Sequence, residues 1–354
     1  MRVGLDKNAI YTTEAGTARY IRGLLKGLRE LNPPDLEILE VAWTVENLSF
    51  RQPQRALKTL YRELVWSKLV APSFIMRGSV DVFHSTANLL VIPPRGVKHI
   101  ATLHDLAVIR HPERFRPWHR WSGRKYLKQL HKLDRVICIS QFTAREAATL
   151  LNLPRAKLEV VYNGCDFHPN ERPPTERAPS VQVPDEFFLF LGSLEPGKNL
   201  SLLKEVYQLA EREGIALPPL VVVGVRWSGL KTEGRPPQNW RYLGRQPDDV
   251  LVFLFRRALA LLFPSKYEGF GLPVVEAMTL GCPVICSPVA SLPEIGGNAV
   301  LFTELNPAAY LQAIRRLLEE ADLREELVRR GFEQSPKFSW KRCATETLCV
   351  YREA

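Results

Sequence analysis

Two glutamates, Glu268 and Glu276, lie on either side of a glycine-rich turn in the sequence SKYEGFGLPVVE. The preceding apolar run predicts a buried strand, and Pro273 and Gly281 are typical of the first turn and the C-terminal cap of a helix. Where a strand, a glycine loop and a helix N-terminus meet, backbone N–H groups and the helix dipole attract an anion. Because ionised carboxylates only accept hydrogen bonds, we expect a ligand that carries hydroxyls as well as phosphate, as a sugar nucleotide does. Taken alone, the pair also fits a structural turn in which Glu276 favours the start of the helix.

A lysine follows a second strand-and-glycine segment, FLFLGSLEPGKN. Lys198 comes just before Asn199, which we expect to cap a helix. The lysine ammonium group is a point charge suited to a diphosphate. A solvated loop lysine is the simpler alternative.

Two further segments place polar groups or glycine beside predicted elements. His104 and Asp105 follow an apolar strand, although a His–Asp pair is also common as a purely structural feature. Gly16 and Thr17 end a loop that starts at Lys7, and they begin an amphipathic helix. A glycine at that point would let a phosphate approach the backbone, and Thr17 would cap the helix. An ordinary capped helix after a flexible loop is the alternative.

The elements that must position these residues alternate between strand-like and helix-like patterns, which predicts an α/β fold with largely parallel sheets. A length of 354 residues suggests about two domains. The proline-rich segment 169–184 predicts a linker between two Rossmann-like domains, 1–168 and 185–339. We predict strands at 1–5, 80–83, 100–103, 136–139, 160–162, 187–191, 220–223, 258–263 and 284–286. Ligands of such sheets bind beyond the carboxyl ends of the strands.

Composition limits the class of protein. No apolar run approaches the roughly 20 residues of a membrane-spanning helix, and the N-terminus has no signal-peptide core, so we expect a cytoplasmic protein. The six cysteines form neither a CxxC pair nor a zinc-like pattern with histidine. Free, mostly buried thiols are therefore expected.

The net charge of +10 is unevenly distributed, because the basic excess lies within 1–168 and the remainder is close to neutral. This asymmetry indicates an anionic partner for the first half. Within 110–135, cations alternate with aromatic and aliphatic residues and predict an amphipathic helix from Trp118 onward. Such a helix suits the anionic face of a membrane, or it packs its tryptophans on its own domain. No nucleic-acid-binding motif accompanies it. The candidates for contact with membrane or acceptor are Arg116, Trp118, Arg120, Trp121, Arg124 and Lys125.

The motifs resemble the retaining glycosyltransferases of family four. The Glu-x7-Glu segment EGFGLPVVE is followed by AMTLGCPVICSPVASLPEIGGNAVLF. GLD, TLHDLAVIRHPERF, VICISQFTARE, VVYNGCD, FLFLGSLEPGKN and a final FSW occur in the family's usual order and span nearly the whole chain. The resemblance implies a GT-B fold, in which two Rossmann-like domains with parallel sheets face a central cleft. It also implies that the last helix, of about 340–354, packs back on the first domain.

The resemblance also implies roles for individual residues. Glu276 would accept hydrogen bonds from the donor's ribose, Glu268 would hold the donor sugar, and His104 would face that sugar near the reacting carbon. Lys198 would bind the donor diphosphate. Backbone groups of Gly16, Phe270, Gly271 and Leu272 would contact phosphate or sugar, together with Ser193 and Arg245. The chain departs from many relatives by having Ser193 and Gly197 where an arginine is common, so that Lys198 and Arg245 would carry more of the diphosphate's charge.

The function implied is transfer of a hexose, with mannose favoured, from a nucleoside-diphosphate sugar to a hydroxyl of a glycan or lipid-linked acceptor, in synthesis of surface polysaccharide. GDP-mannose is the favoured donor, and UDP- and dTDP-sugars are alternatives. The absence of Asp-x-Asp from the sequence agrees with a mechanism without metal or other cofactor. A sugar-nucleotide epimerase or hydrolase of the same fold, and a non-catalytic sugar-nucleotide-binding protein, are the rival functions.

Overall fold

The computed structural model describes residues 1–12, 16–43, 61–87, 91–169, 181–226 and 237–354. The chain forms two compact units, the first of residues 1–164 and 339–354 and the second of 165–338. Each unit contains a six-stranded sheet whose neighbouring strands are all parallel. The predicted α/β class is confirmed.

The first unit has the strand order β2-β1-β3-β4-β5-β6. Its strands are β1 (Arg2–Asp6), β2 (Glu37–Val41), β3 (Val82–Ser85), β4 (Lys98–Leu103), β5 (Arg135–Cys138) and β6 (Leu158–Val160). Its helices are α1 (Ala9–Thr12), α2 (Gly16–Leu31), α3 (Ala71–Arg77, preceded by a π-helical stretch Arg62–Val70), α4 (Ala107–Arg110), α5 (Pro117–Gln129), α6 (Gln141–Leu150) and the final helix, α13 (Trp340–Glu353).

The second unit has the strand order β12-β11-β10-β7-β8-β9. Its strands are β7 (Phe188–Leu191), β8 (Leu220–Val223), β9 (Trp240–Gly244), β10 (Leu261–Phe263), β11 (Val284–Cys286) and β12 (Leu301–Phe302). Its helices are α7 (Leu200–Arg212), α8 (Asp248–Arg257), α9 (Leu272–Thr279), α10 (Leu292–Gly296), α11 (Pro307–Glu319) and α12 (Ala321–Gln334).

The strands that the sequence predicted all exist, with ends shifted by up to three residues. Three edge or near-edge strands were not predicted. Strands β2 and β9 contain charged and exposed residues that interrupt the apolar run, and β12 is only two residues long. Central strands such as β8 and β10 are wholly buried and give the continuous apolar runs that parallel sheets favour.

The final helix, α13, packs on α2 within the first unit through a glycine-lined contact. Trp340 occupies the space beside Gly23 and Gly27, where a Cβ on Gly23 would lie 2.0 Å from Trp340 Cε2. Gly164, the last residue before the chain leaves this unit, is equally constrained, since a Cβ there would lie 2.2 Å from the Trp340 amide nitrogen. Side chains at these glycines would push the helix out of the unit.

All six cysteines are free thiols, as predicted from their spacing. Burial raises the pKa of Cys138, Cys165, Cys282 and Cys343 to about 12, and it raises the pKa of Cys286 as well. Cys349 alone is exposed. Most of the predicted linker, residues 170–180, lies outside the described residues. Among the described helices, none is long and apolar enough to cross a bilayer.

Two histidines of the first sheet are buried without charge. Burial lowers the pKa of His84 to about 3 and that of His99 to about 4, the latter against the opposing effect of Asp134. His99 Nε2 is 3.0 Å from Ser85 Oγ, and its backbone N–H donates to Asp134 Oδ2 at 2.8 Å.

We predict that His99 makes the protein less stable as the pH falls from about 6.5 toward 4. In this window the histidine is protonated in the unfolded chain but stays neutral in the folded protein. The free energy of unfolding therefore falls by up to about 1.4 kcal/mol per pH unit. His99→Gln should flatten the pH dependence of the urea-unfolding midpoint there, whereas the exposed His119→Gln should not. Parallel curves for wild type and His99→Gln would contradict the assignment.

Candidate functional site

The loop between β10 and α9 carries Glu268 and is fastened by two serines. Ser287 Oγ donates to the carbonyl oxygen of Ser265 at 2.5 Å. Ser291 Oγ lies 2.9 Å from the carbonyl oxygens of both Glu268 and Phe270. Both serines are completely buried. They follow β11, and sequence reasoning missed them, although they lie in the motif CSPVAS that it quoted.

Gly271 directly precedes the first residue of α9, and the amide groups at this helix start are open. Gly271 has φ of +101°, and a Cβ there would lie 2.7 Å from Leu292 Cδ2, so the position requires glycine. Its carbonyl accepts from the amides of Val274 and Val275. In the described part of the chain the amides of Gly271 and Leu272 have no acceptor, which leaves two donors for an anion. The predicted first-turn Pro273 is in place, and Gly281 follows the end of the helix with φ of +72°.

Phe270, the third predicted backbone donor, is fixed by its ring. The side chain is 3 % exposed and packs edge-on against Phe338, with the ring centroids 5.6 Å apart. This aromatic contact holds the glycine turn in place, so Phe270 contributes to the shape of the turn through packing.

Lys198 and Glu268 form an ion pair within the second unit. Lys198 Nζ donates to Glu268 Oε1 at 2.5 Å, and both side chains are largely shielded, being 18 % and 10 % exposed. The ammonium also lies 5.4 Å from the centroid of the Phe263 ring. The lysine and the first glutamate of the motif, 70 residues apart in sequence, are thus brought into contact.

A short turn, Pro196–Lys198, sets the direction of the lysine. Glu195 is 2 % exposed, and its carboxylate accepts from the Gly197 amide at 2.7 Å. The Gly197 carbonyl accepts from Lys266 N at 2.8 Å, which ties this turn to the Glu268 loop. The prediction that Asn199 caps α7 is correct in position but wrong in mechanism. Asn199 is left-handed, with φ of +56°, and its side chain makes no capping bond.

Glu276 lies four residues after Leu272 in α9 and is 3 % exposed. Its negative charge adds to burial in raising the pKa of the Cys165 thiol, so the carboxylate and the sulfur are near neighbours. Cys165 belongs to the NGCD segment, to which sequence reasoning assigned no role in this unit.

The remaining donor candidates of this unit lie on loops at the same sheet edge. Ser193 follows β7, and its carbonyl accepts from the Glu195 amide at 3.0 Å. Arg245 follows β9, two strands from β7, and is exposed. A cation that the sequence did not single out, Arg226, follows β8 and is paired through its backbone with Leu194. Arg226 therefore lies next to the loop that leads to Lys198.

In the first unit, His104 follows the carboxyl end of β4. Its Nε2 lies 2.8 Å from the Thr86 carbonyl oxygen, to which it must donate, and its ring meets that of Tyr20 edge-on at 5.0 Å. Burial lowers the pKa of His104, against the raising effects of the Thr86 hydrogen bond and Asp105. Asp105 Oδ1 accepts from the Ala107 amide at 2.9 Å, and so it orders the start of α4.

Gly16 is the exposed first residue of α2. The proposed N-cap, Thr17, is wrong, because it already lies inside the helix. The predicted loop from Lys7 to Gly16 contains the short helix α1, and its residues 13–15 lie outside the described residues.

The predicted amphipathic helix is α5, and beside it lies a groove of about 980 Å³. Arg120, Trp121, Arg124 and Lys125 line it, and Lys128 and Lys132, which sequence reasoning left out, extend the cationic wall. Ile92 and Pro93, from the connection between β3 and β4, also line the groove. Trp121 and Ile92 are 54 % and 64 % exposed. Arg116 is exposed at the helix start, and the side chain of Trp118 is outside the described set.

Chemically, the second unit offers a cation, two open amides and a carboxylate around one glycine turn. This set can bind a phosphate and accept hydrogen bonds from hydroxyls. Within the described ranges no group of three or more His, Cys, Asp or Glu side chains is arranged to hold a metal ion.

Comparisons with known proteins agree with this fold. The family model "Glycosyltransferase Family 4" matches residues 15–168, and "Glycosyl transferases group 1" matches residues 173–334. Among solved structures, a sucrose-phosphate synthase from Thermosynechococcus elongatus has a TM-score of 0.72 at 17 % identity, over 100 % of this chain and 98 % of that one. The Anabaena protein HepE in complex with UDP-glucose has a TM-score of 0.70 at 16 % identity over all of both chains. These neighbours show the GT-B fold.

Curated relatives are closer in sequence. The O-antigen chain mannosyltransferase B of Escherichia coli is 34 % identical over 323 residues, which cover 86 % of this chain and 82 % of that protein. The serotype-specific mannosyltransferase WbdA of Escherichia coli is 30 % identical over 298 residues, which cover 78 % of this chain but only 36 % of that longer protein. Because the first match spans most of both proteins, the chain belongs to the family-four, group 1 glycosyltransferases.

Proposed function

We propose that this glycosyltransferase moves mannose from GDP-mannose, with retention of configuration, to a hydroxyl of a glycan or lipid-linked acceptor during synthesis of a surface polysaccharide. The observation that carries the proposal is the Lys198–Glu268 ion pair beside the open amides of Gly271 and Leu272. The similarity to the Escherichia coli O-antigen mannosyltransferase supports mannose as the sugar. The structural neighbour HepE was solved in complex with UDP-glucose. This supports a nucleoside-diphosphate sugar as the donor class.

The donor diphosphate replaces Glu268 as the partner of Lys198. The ammonium is shielded from solvent, so its attraction for a phosphate oxygen is stronger than it would be in water. The amides of Gly271 and Leu272 bind the same anion at the positive end of α9. Arg226 and Arg245 supply cations near the position where many relatives have an arginine. Once released, Glu268 accepts hydrogen bonds from the hydroxyls of the sugar.

We propose roles toward the donor for one further residue of each unit. Glu276 accepts hydrogen bonds from the ribose hydroxyls. His104 is held neutral by burial and donates from Nε2 to Thr86, so its Nδ1 is an acceptor and receives a hydrogen bond from a sugar hydroxyl.

In the transfer step, the bond between the anomeric carbon and the phosphate oxygen breaks as the acceptor oxygen bonds to that carbon from the same face. The leaving phosphate oxygen takes the proton of the acceptor hydroxyl, so no nucleophile from the protein is needed and the configuration is retained. Lys198 and the amide groups stabilise the charge that develops on the diphosphate. We therefore propose that the reaction requires no metal, and that it persists in EDTA.

The direct test is incubation with GDP-mannose and acceptor glycans, followed by NMR analysis of the anomeric configuration of the product. A thermal-shift panel of GDP-, UDP- and dTDP-sugars identifies the nucleotide, because only a ligand of the folded state raises stability. Free mannose without an acceptor indicates a hydrolase, and an altered sugar nucleotide indicates an epimerase. Donor binding with no product over a broad acceptor panel indicates a binding protein.

We predict that Lys198→Met and Glu268→Gln each lower kcat by roughly 100-fold or more, as expected for groups that act on developing charge or hold the reacting sugar. The melting temperature should change little by comparison. Lys337→Met, which removes an exposed lysine of the same unit, is the matched control. Transfer by Lys198→Met at the wild-type rate would overturn the diphosphate assignment.

Glu276→Gln is predicted to act differently from these two. Because its role is to bind ribose in ground and transition states alike, the donor KM should rise about tenfold while kcat stays within about twofold. Steady-state kinetics at varied donor concentration measure both. A loss confined to kcat would place Glu276 at the reacting sugar instead.

We also propose that the groove beside α5 contacts an anionic membrane surface at the cytoplasmic face, where a lipid-linked acceptor would be found. Five cations line this groove, and the single carboxylate among its lining residues, Asp134, is already bonded to Lys98 and to the His99 amide. The exposed Trp121 and Ile92 provide apolar contacts for the interface.

Reversing two of these charges tests this contact. Lys125→Glu/Lys128→Glu should reduce sedimentation with anionic vesicles at least about tenfold, since each basic residue near the surface contributes about 1 kcal/mol. Lys337→Glu/Lys341→Glu makes the same charge change elsewhere and should leave vesicle binding nearly intact. Equal binding to zwitterionic vesicles, or binding insensitive to salt, would count against the proposal.

A further inference from the structure

Four buried side chains form a continuous hydrogen-bonded chain that reaches the ring of His104 through Tyr20. Tyr351 Oη of α13 lies 2.6 Å from His84 Nδ1, and His84 Nε2 lies 2.8 Å from Thr102 Oγ1. Thr102 Oγ1 in turn lies 2.7 Å from Tyr20 Oη of α2. None of the four residues is more than 2 % exposed. This chain of hydrogen bonds links helices α2 and α13 to strands β3 and β4 of the first sheet.

The four groups are neutral, so each hydrogen bond in the chain has one donor and one acceptor, and their order follows along the chain. Burial lowers the pKa of His84 to about 3, and it raises the pKa of Tyr20 and Tyr351 well above their ordinary range. A neutral imidazole donates from one nitrogen and accepts at the other. If Tyr351 donates to Nδ1, then Nε2–H donates to Thr102. The hydrogen-bond role of the Tyr351 hydroxyl therefore determines, through His84, the role of the Thr102 hydroxyl.

Tyr20, at one end of this chain of hydrogen bonds, contacts His104. The Tyr20 ring packs edge-on against the imidazole, with the planes at 83°, while Thr86 holds its Nε2. Thr102 precedes His104 by two residues on β4, and its carbonyl accepts from Tyr126 Oη at 3.1 Å. One face of the imidazole and the strand that carries it are therefore fixed by the same network.

We propose that Tyr351 and Tyr20 are positioning residues for His104, and that the last helix sets the orientation of its imidazole through His84 and Thr102. This inference rests on the role of His104 in the proposed function. Neither tyrosine is a catalytic residue, because each acts through the His104 ring.

The test compares Tyr351→Phe and Tyr20→Phe with Tyr310→Phe. Tyr310 is also fully buried and donates to a backbone carbonyl, that of Ile285 at 2.8 Å, but it lies in the second unit. Tyr351→Phe and Tyr20→Phe should lower kcat about five- to twentyfold with the donor KM within about twofold, which is a split expected of a misoriented group. They should also shift the ¹⁵N resonances of the His104 ring. Tyr310→Phe should do neither, at a similar change in melting temperature.

A double-mutant comparison separates this inference from the role of His104. In a His104→Asn background, Tyr351→Phe should cause no further loss of kcat, since a positioning residue needs the group that it positions. Wild-type kcat and unshifted His104 resonances in Tyr351→Phe overturn the positioning proposal alone. Wild-type kcat in His104→Asn overturns the role of His104 and the inference with it.

Discussion

Hydrogen bonds from two buried serines to the backbone of the Glu268 loop are the constraint on which the donor site depends. A loop that leaves a buried strand must satisfy its carbonyl groups, and Ser287 and Ser291 do this for Ser265, Glu268 and Phe270. In the loop conformation that these bonds hold, Glu268 contacts Lys198 and the amides of Gly271 and Leu272 stay open. The same bonds join β10 to the segment after β11, so the site is built from loops of adjacent strands.

Sequence patterns predicted the strands that lie in the middle of each sheet, because residues buried on both faces leave an apolar run. They indicated an anion site at the EGFG turn and, separately, a lysine suited to a diphosphate at Lys198. The family resemblance assigned both to one donor site and implied the GT-B fold. The ion pair between Lys198 and Glu268 could not be predicted, since it joins residues brought together only by the order of the strands. For the same reason Arg226 and the serines were overlooked. Each is unremarkable in its own segment and gains its contact from a neighbouring loop.

The first unit shows a different limit of sequence reasoning. The helix from Pro117 was predictable because aromatic and cationic residues recur along it, but the groove also needs Ile92 and Pro93 from a connection that has no periodic pattern. His84 gave no signal at all in sequence. Its importance depends on Tyr351, which comes from the other end of the chain and reaches the sheet only because α13 packs against the glycines of α2.

The distribution of thiols allows a single cysteine to be labelled chemically. Only Cys349 is exposed, and burial raises the pKa of each of the other five cysteines. A thiolate is the nucleophile toward maleimides and iodoacetamides, so these reagents select Cys349 at neutral pH. A fluorophore or spin label can therefore be attached to the native sequence, two residues from Tyr351, on the helix that returns to the first unit.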